Sequence, residues 1–320
     1  MNRLKITNQL YRYIQKILYK FSLYKLTNHL GIYQPRIVTN IDGGLGSQMW
    51  QFAIGYVIAK KSGLPLTLNV DFYVDGGKDC DGVENRHFLL FETFPTIRNL
   101  YQNSIEQSET YKNIFRDRIG RSNYVYDPNL SKPGKPIFLS QYYSNAKYIL
   151  GYKKDLLELF KFDVSLTNEE KQLIAEINEH PSCAVHIRKG DFVGLGRDIC
   201  SAAYYAKAIH KIQKLIPDVK FYIFSNDESY FEEQVLPLCS SCNYKNLVGR
   251  SESTPQADLY LMTQCHHSII SNSGFSWIAA YFKNEDSIVI MPDIWDHVPE
   301  KQEISRKAFH IQNWIQLPTK

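Results

Sequence analysis

The stretch Ser182-Cys183-Ala184-Val185-His186-Ile187-Arg188-Lys189-Gly190-Asp191 decides how the chain is read. Residues 184–187 read as a β-strand that ends abruptly in a basic turn. Downstream, the same alternation repeats. Residues 203–215 predict a helix, 221–225 a strand, and a further helix begins near Glu228. Residues 257–264 predict a helix, 268–271 a strand, 275–282 a helix and 288–291 a strand. Strands alternating with helices imply a parallel, doubly wound sheet.

Upstream, residues 36–41 read as a strand running into Asp42-Gly43-Gly44-Leu45-Gly46-Ser47-Gln48. A helix is predicted over 49–62, stopped by Gly63 and Pro65, and residues 64–70 return as a strand. This is a βαβ unit with a glycine-rich first turn. Residues 133–141 read as one more strand. A chain of 320 residues is long for one compact domain. The expected division is a basic extension over 1–35, an N-terminal acceptor-side α/β domain over 36–165 and a nucleotide-binding α/β domain over 166–320.

Charge is unevenly spread. The formal net charge of +4 does not by itself imply a nucleic-acid partner. No acidic residue precedes Asp42, whereas Arg3, Lys5, Arg12, Lys16, Lys20, Lys25 and Arg36 do. Leu10, Tyr13, Ile14, Ile17, Leu18, Phe21 and Tyr24 recur at helical spacing, with Arg12, Lys16 and Lys20 opposite. Residues 1–30 therefore read as a basic amphipathic helix, suited to the inner face of a membrane or to packing on its own domain. Its apolar runs fall far short of the roughly 20 residues a spanning helix needs. Six scattered cysteines fit reduced thiols in a cytoplasmic protein. Cys239 and Cys242, with Cys265-His266-His267, make only a weak zinc pattern.

In open α/β sheets, ligands bind beyond the carboxyl ends of the strands. That rule selects the turns 43–48, 188–191, 225–227 and 271–274. The glycine turn matches neither a dinucleotide fingerprint nor a P-loop. It permits close backbone approach to a bulky ligand, or simply makes a tight strand–helix turn. At 188–191, a guanidinium offers paired hydrogen bonds to phosphate and Lys189 adds a point charge. The bland alternative is an exposed basic turn with an Arg188–Asp191 salt bridge, and spacing does not separate the two. The turn Ser271-Asn272-Ser273-Gly274-Phe275-Ser276-Trp277 opens a helix, which reads as an anion seat or as an ordinary serine cap. Asp79-Cys80-Asp81 has the D-x-D form of a metal site but too few converging oxygens, and reads as a solvated loop.

These residues resemble the α-1,2-fucosyltransferases of bacterial surface-glycan synthesis, within the wider α-1,2/α-1,6/protein-O-fucosyltransferase group. The segment 43–53 is similar to that family's G-G-L-G-N-Q-M-x-Q-Y-A, and 186–191 to its H-x-R-R-x-D. Asp258 to Met262, followed by 270–277, is similar to its D-x-x-x-M … N-S-S-F-S-W-W. The resemblance implies a GT-B-like fold of two Rossmann-like domains facing a cleft. It further implies GDP-β-L-fucose as donor, an inverted α-linked product, a galactose-terminated acceptor (lipid-linked in O-antigen synthesis), and no metal or cofactor. Carried over by position, Arg188 meets the diphosphate and His186, Lys189 and Asp191 line the donor site. Asp258 meets the guanosine, and Ser273, Gly274 and Phe275 contact phosphate. Gly46 and Gln48 approach the donor from the N-terminal half. Asp191 is the candidate base, or the group that orients Arg188. Ser47, Lys189, Gly274 and Ile278 depart from the family pattern, and Lys189 loses the fork of a second arginine. Rival readings are another linkage on the same scaffold, a silent nucleotide- or glycan-binding protein, and a metal-dependent transferase using Asp79 and Asp81.

Overall fold

A computed structural model describes residues 34–78, 85–105, 124–239, 241–251 and 253–320. The basic stretch 1–30 and Asp79-Cys80-Asp81 lie outside the described residues. Two parallel sheets organise the chain. The first has the order β2-β1-β3, with β1 Ile37–Asn40, β2 Leu66–Asn69 and β3 Ile137–Leu139. Between β1 and β2 runs α1, Leu45–Ser62. The second sheet has the order β6-β5-β4-β7-β8-β9. Its strands are β4 Ser182–Ile187, β5 Lys220–Ser225, β6 Tyr244–Asn246, β7 His267–Ile269, β8 Val289–Pro292 and β9 Ile315–Leu317. Helices α2 Asn168–Glu179, α3 Ala202–Leu215, α4 Pro255–Gln264, α5 Gly274–Tyr281 and α6 Pro299–Phe309 accompany them. The two α/β units flank a cleft, which is the GT-B-like arrangement the resemblance implies.

Local chemistry explains the boundaries. Helix α2 starts in a capping box: Glu170 N–H donates to Thr167 Oγ1, and Thr167 N–H donates to the Glu170 carboxylate. Ser201 caps α3, and Thr254 followed by Pro255 opens α4. Helix α1 begins four residues earlier than its pattern suggests, because the glycine turn is its first turn: Gly43 takes φ +72° and the chain is helical from Leu45. The helix expected near Glu228 is a π turn over Phe231–Val235 and a 3-10 turn over Leu236–Leu238, and Pro237 removes the donor that would extend it.

The hydrophobic core does not divide near residue 165. Leu156, Leu159 and Phe160 before that point share one cluster with Leu173 and Ile177 after it. Helix α1 is buried on almost every side and wedges against the second unit. Trp50 meets Trp277 edge-on at 4.8 Å and Phe309 at 5.6 Å. Gly46 makes the approach possible, since a Cβ there would stand 2.6 Å from Phe275 Cα.

Candidate active site

The cleft holds about 1100 Å³ and is lined from both units. On the side of the second sheet its wall consists of successive strand ends. At the end of β4 and just past it, His186 and Arg188 face the cleft. The Arg188 Nη2 donates to Asp191 Oδ2 at 2.6 Å, and its guanidinium lies 5.1 Å from the Phe192 ring. The Arg188 Nε–H is buried with no acceptor among the described residues. Asp191 takes the second hydrogen bond from Asn226 Nδ2 at 3.2 Å. Both of its oxygens are thus engaged, one by a cation, and the geometry makes it the group that orients Arg188. As a candidate base Asp191 is disfavoured by geometry, since both oxygens already accept, one of them from the Arg188 guanidinium at 2.6 Å.

One strand over, past β7, lies the start of α5. Ser273 is its N-cap residue and makes no side-chain capping bond, so the helix opens onto the cleft at Ser273, Gly274 and Phe275. Backbone N–H groups at such an end attract anions. His186 fastens the two turns together. Its Nδ1 shares a 2.9 Å hydrogen bond with Ser271 Oγ, and its ring lies 5.6 Å from Phe275. Burial, reinforced by the Arg188 charge, pushes the His186 pKa down to about 3, which leaves a neutral imidazole. On the other side, past β6, Arg250 Nη2 donates to Asp258 Oδ1 at 2.6 Å and lies 3.8 Å from Glu170. Burial raises the Asp258 pKa, and Arg250 opposes the rise. Asp258 lines the cleft beside Ser253, Thr254 and Pro255.

Two expected contacts, Lys189 and Gln48, are corrected by the structure. Lys189 is buried and turned away from the cleft: its ammonium donates to the Cys200 carbonyl at 3.2 Å, lies 3.4 Å from Asp198 and sits 4.2 Å from the Tyr230 ring centroid. Successive side chains leaving a strand point to opposite faces, so Arg188 and Lys189 cannot both face one ligand. Gln48 is fully buried, with its amide in use. Its Nε2 donates to the Gly43 and His87 carbonyls, while its Oε1 accepts from Leu89 and Leu90 N–H at 2.9 and 3.0 Å. Gly46 borders the cleft, but its lack of a side chain serves the packing of α1 on Phe275. The zinc pattern does not assemble either. His266 Nδ1 is hydrogen-bonded to Ser182 and His267 Nδ1 accepts from Ile288 N–H. Among the described residues no three of His, Cys, Asp and Glu gather as a metal site.

Other cleft residues carry weak sequence signals. Arg86, His87 and Tyr124 line it from the first unit, and Trp295 and Asp296 line it beyond β8. The strand-end rule applies as well to the end of β8, where Trp295 and Asp296 lie; Arg86 and His87 stand in a loop with no periodicity to mark them.

With this geometry in place, comparison with known proteins is specific. A family model described as "Glycosyl transferase family 11" matches residues 93–318. An alpha-1,2-colitosyltransferase of Escherichia coli is 27% identical over 294 residues, covering 88% of this chain and 98% of the relative. The O-antigen biosynthesis glycosyltransferase WbnK of Escherichia coli is 25% identical, covering 87% and 99%. Galactoside alpha-(1,2)-fucosyltransferase 2 of Bos taurus is 19% identical, covering 87% and 78%. The family match spans well over half of the chain and includes the Arg188, Asp258 and Ser273 turns, so the chain belongs to glycosyl transferase family 11.

Proposed function

We propose that the chain moves L-fucose from GDP-β-L-fucose to the 2-hydroxyl of a galactoside, with inversion and without a metal. The observation that carries this reading is the pairing of the Asp191-anchored Arg188 with the uncapped start of α5 on the adjacent strand end. In this reading the acceptor oxygen attacks C1 of fucose from the face opposite GDP. As that bond forms, the C1–O bond to the β-phosphate breaks and its electron pair goes to the diphosphate. Arg188 and the Ser273–Phe275 helix start receive the developing charge, as fixed donors do for an oxyanion. Asp258, held by Arg250, receives the guanine N–H groups. The α-1,2 linkage and the galactoside acceptor are supported by the names of relatives, and a role in O-antigen assembly by that of another.

A second reading concerns the donor sugar, since one relative bears the name of a colitosyltransferase. The deciding experiment incubates the purified chain with GDP-fucose or GDP-colitose and a panel of β-galactosides, with and without EDTA. GDP release and product linkage are measured. The proposal expects release from GDP-fucose, an α-1,2 product and no loss in EDTA. Strict metal dependence contradicts the mechanism, turnover of GDP-colitose alone reassigns the donor, and no turnover favours a silent binding protein. The protein is further proposed to work in the cytoplasm, touching the inner membrane face through residues 1–30 and meeting a lipid-linked acceptor there. Deleting those residues is then expected to lower liposome binding while sparing activity on soluble acceptors; no helix among the described residues is long and apolar enough to cross a membrane.

A further inference from the structure

The second sheet sets out the cleft as a row. Its strand ends run β6, β5, β4, β7, β8. The groups beyond them follow in the same order: Asp258 with Arg250, then Asn226, then Arg188 with Asp191, then Ser273 and Gly274, then Asp296. Neighbouring strands lie about 4.8 Å apart. A nucleoside diphosphate sugar laid along this row, base at Asp258 and diphosphate between Arg188 and α5, brings its anomeric carbon toward the end of β8. Asn272 couples that end to the anion seat, since its Nδ2 donates to the Trp295 carbonyl at 3.5 Å and to the Arg197 carbonyl at 2.9 Å.

Among the described residues, the carboxylates lining the cleft are Asp191, Asp258 and Asp296. Asp191 and Asp258 each meet a guanidinium at 2.6 Å. Asp296 is held differently. Its Oδ2 accepts from the Tyr124 phenol at 2.8 Å and its Oδ1 from Val298 N–H at 2.9 Å. His297 Nδ1 stands 3.6 Å away, while Lys301 and Arg197 line the same stretch of cleft. Neutral donors at both oxygens fix the carboxylate, with no direct guanidinium partner among the described residues, and each oxygen keeps a lone pair for a further proton.

Resting on the transferase reading above, we propose that Asp296 is the base that takes the acceptor's hydroxyl proton. The acceptor oxygen forms its bond to C1, the C1–O bond to the diphosphate breaks with its electron pair leaving on GDP, and the proton passes to an Asp296 oxygen and then to water. The Tyr124 phenol holds one oxygen of that carboxylate in place.

The test uses the full chain with GDP-fucose, a turned-over galactoside and sodium azide. Asp296→Asn is expected to lower kcat by about 10²- to 10⁴-fold, the usual worth of a general base, with GDP affinity kept within about twofold. Azide is an anionic nucleophile with no proton to lose. It is expected to restore donor turnover to Asp296→Ala, giving fucosyl azide and GDP, and to leave Arg188→Ala inactive. The proposal is overturned if Asp296→Asn keeps more than roughly a tenth of wild-type kcat, or if Asp296→Ala binds GDP normally yet gains nothing from azide. A wild type that releases no GDP from either donor overturns the transferase reading and the base with it. An active wild type alongside an equally active Asp296→Asn overturns the base alone.

Discussion

Two strand-to-helix turns border the cleft, one at Gly43–Gln48 and the other at Arg188–Asp191, and they use their polar groups in opposite ways. In the first, the polar atoms bond inward. Asp42 accepts from Asn40, Gln51 and Tyr142, Tyr73 donates to the Gly43 carbonyl, and Gln48 ties the turn to residues 87–90. In the second, Asp191 holds Arg188 in place, and a buried Nε–H is left without an acceptor among the described residues. Both turns carry the family resemblance equally well. The difference teaches that a shared motif can mark a scaffold as readily as a ligand contact, and that the hydrogen-bond inventory separates the two.

The largest effect should come from the second turn. Arg188→Ala is expected to reduce kcat/KM by about 10²- to 10³-fold with little change in stability, read by steady-state kinetics beside a urea melt. Arg188→Lys should remain impaired, because an ammonium lacks the fork. Equal kinetic loss in Gln48→Ala without loss of stability would break the contrast. The first turn should answer in stability instead. Gly46→Ala forces a methyl against the Phe275 backbone and is expected to cost about 1–3 kcal/mol in urea denaturation. Gln48→Ala strips the acceptor from two N–H groups, and a loss of about 1–3 kcal/mol for each is the outer bound.

His186 makes the second turn sensitive to pH. Its pKa is depressed to about 3 in the folded chain. Below about 6.5 the unfolded chain therefore binds a proton that the folded chain refuses until about pH 3, so stability falls as pH drops through that window. The slope is at most about 1.4 kcal/mol per pH unit, and His186→Gln should remove it from denaturation curves taken between pH 7 and 5. The smallest effect on the ligand belongs to Lys189. Lys189→Met should leave GDP affinity within about threefold and cost about 1–3 kcal/mol of stability, since the Cys200 carbonyl loses its donor along with the contacts to Asp198 and Tyr230. A large loss of GDP affinity would return Lys189 to the diphosphate.

Much of the fold is legible because β4, β5 and β8 are largely apolar runs between turn residues, and the strand-end rule then points at Arg188 and Ser273 without any family knowledge. What the sequence hides has physical reasons. Strand β6 is the polar triplet Tyr244-Lys245-Asn246 at a sheet edge, and β9 is three half-buried residues. Helix α6 buries only Ser305, Ala308 and Phe309, so its apolar stripe is too thin to read. The core cluster shared by both units is hard to read because it joins residues far apart in the chain, such as Trp50 and Trp277. The opposed directions of Arg188 and Lys189, by contrast, continue the alternation of β4 by two residues.

In the proposed function the strand ends of the second sheet, and not the glycine turn, hold the diphosphate. Calorimetric titration of GDP, in EDTA, into wild type, Arg188→Ala and Gln48→Ala tests it directly. Loss of a charge-assisted pair predicts roughly 10- to 100-fold weaker binding by Arg188→Ala, with Gln48→Ala within about threefold of wild type. Unchanged affinity in Arg188→Ala, or a collapse of affinity in folded Gln48→Ala, would contradict it.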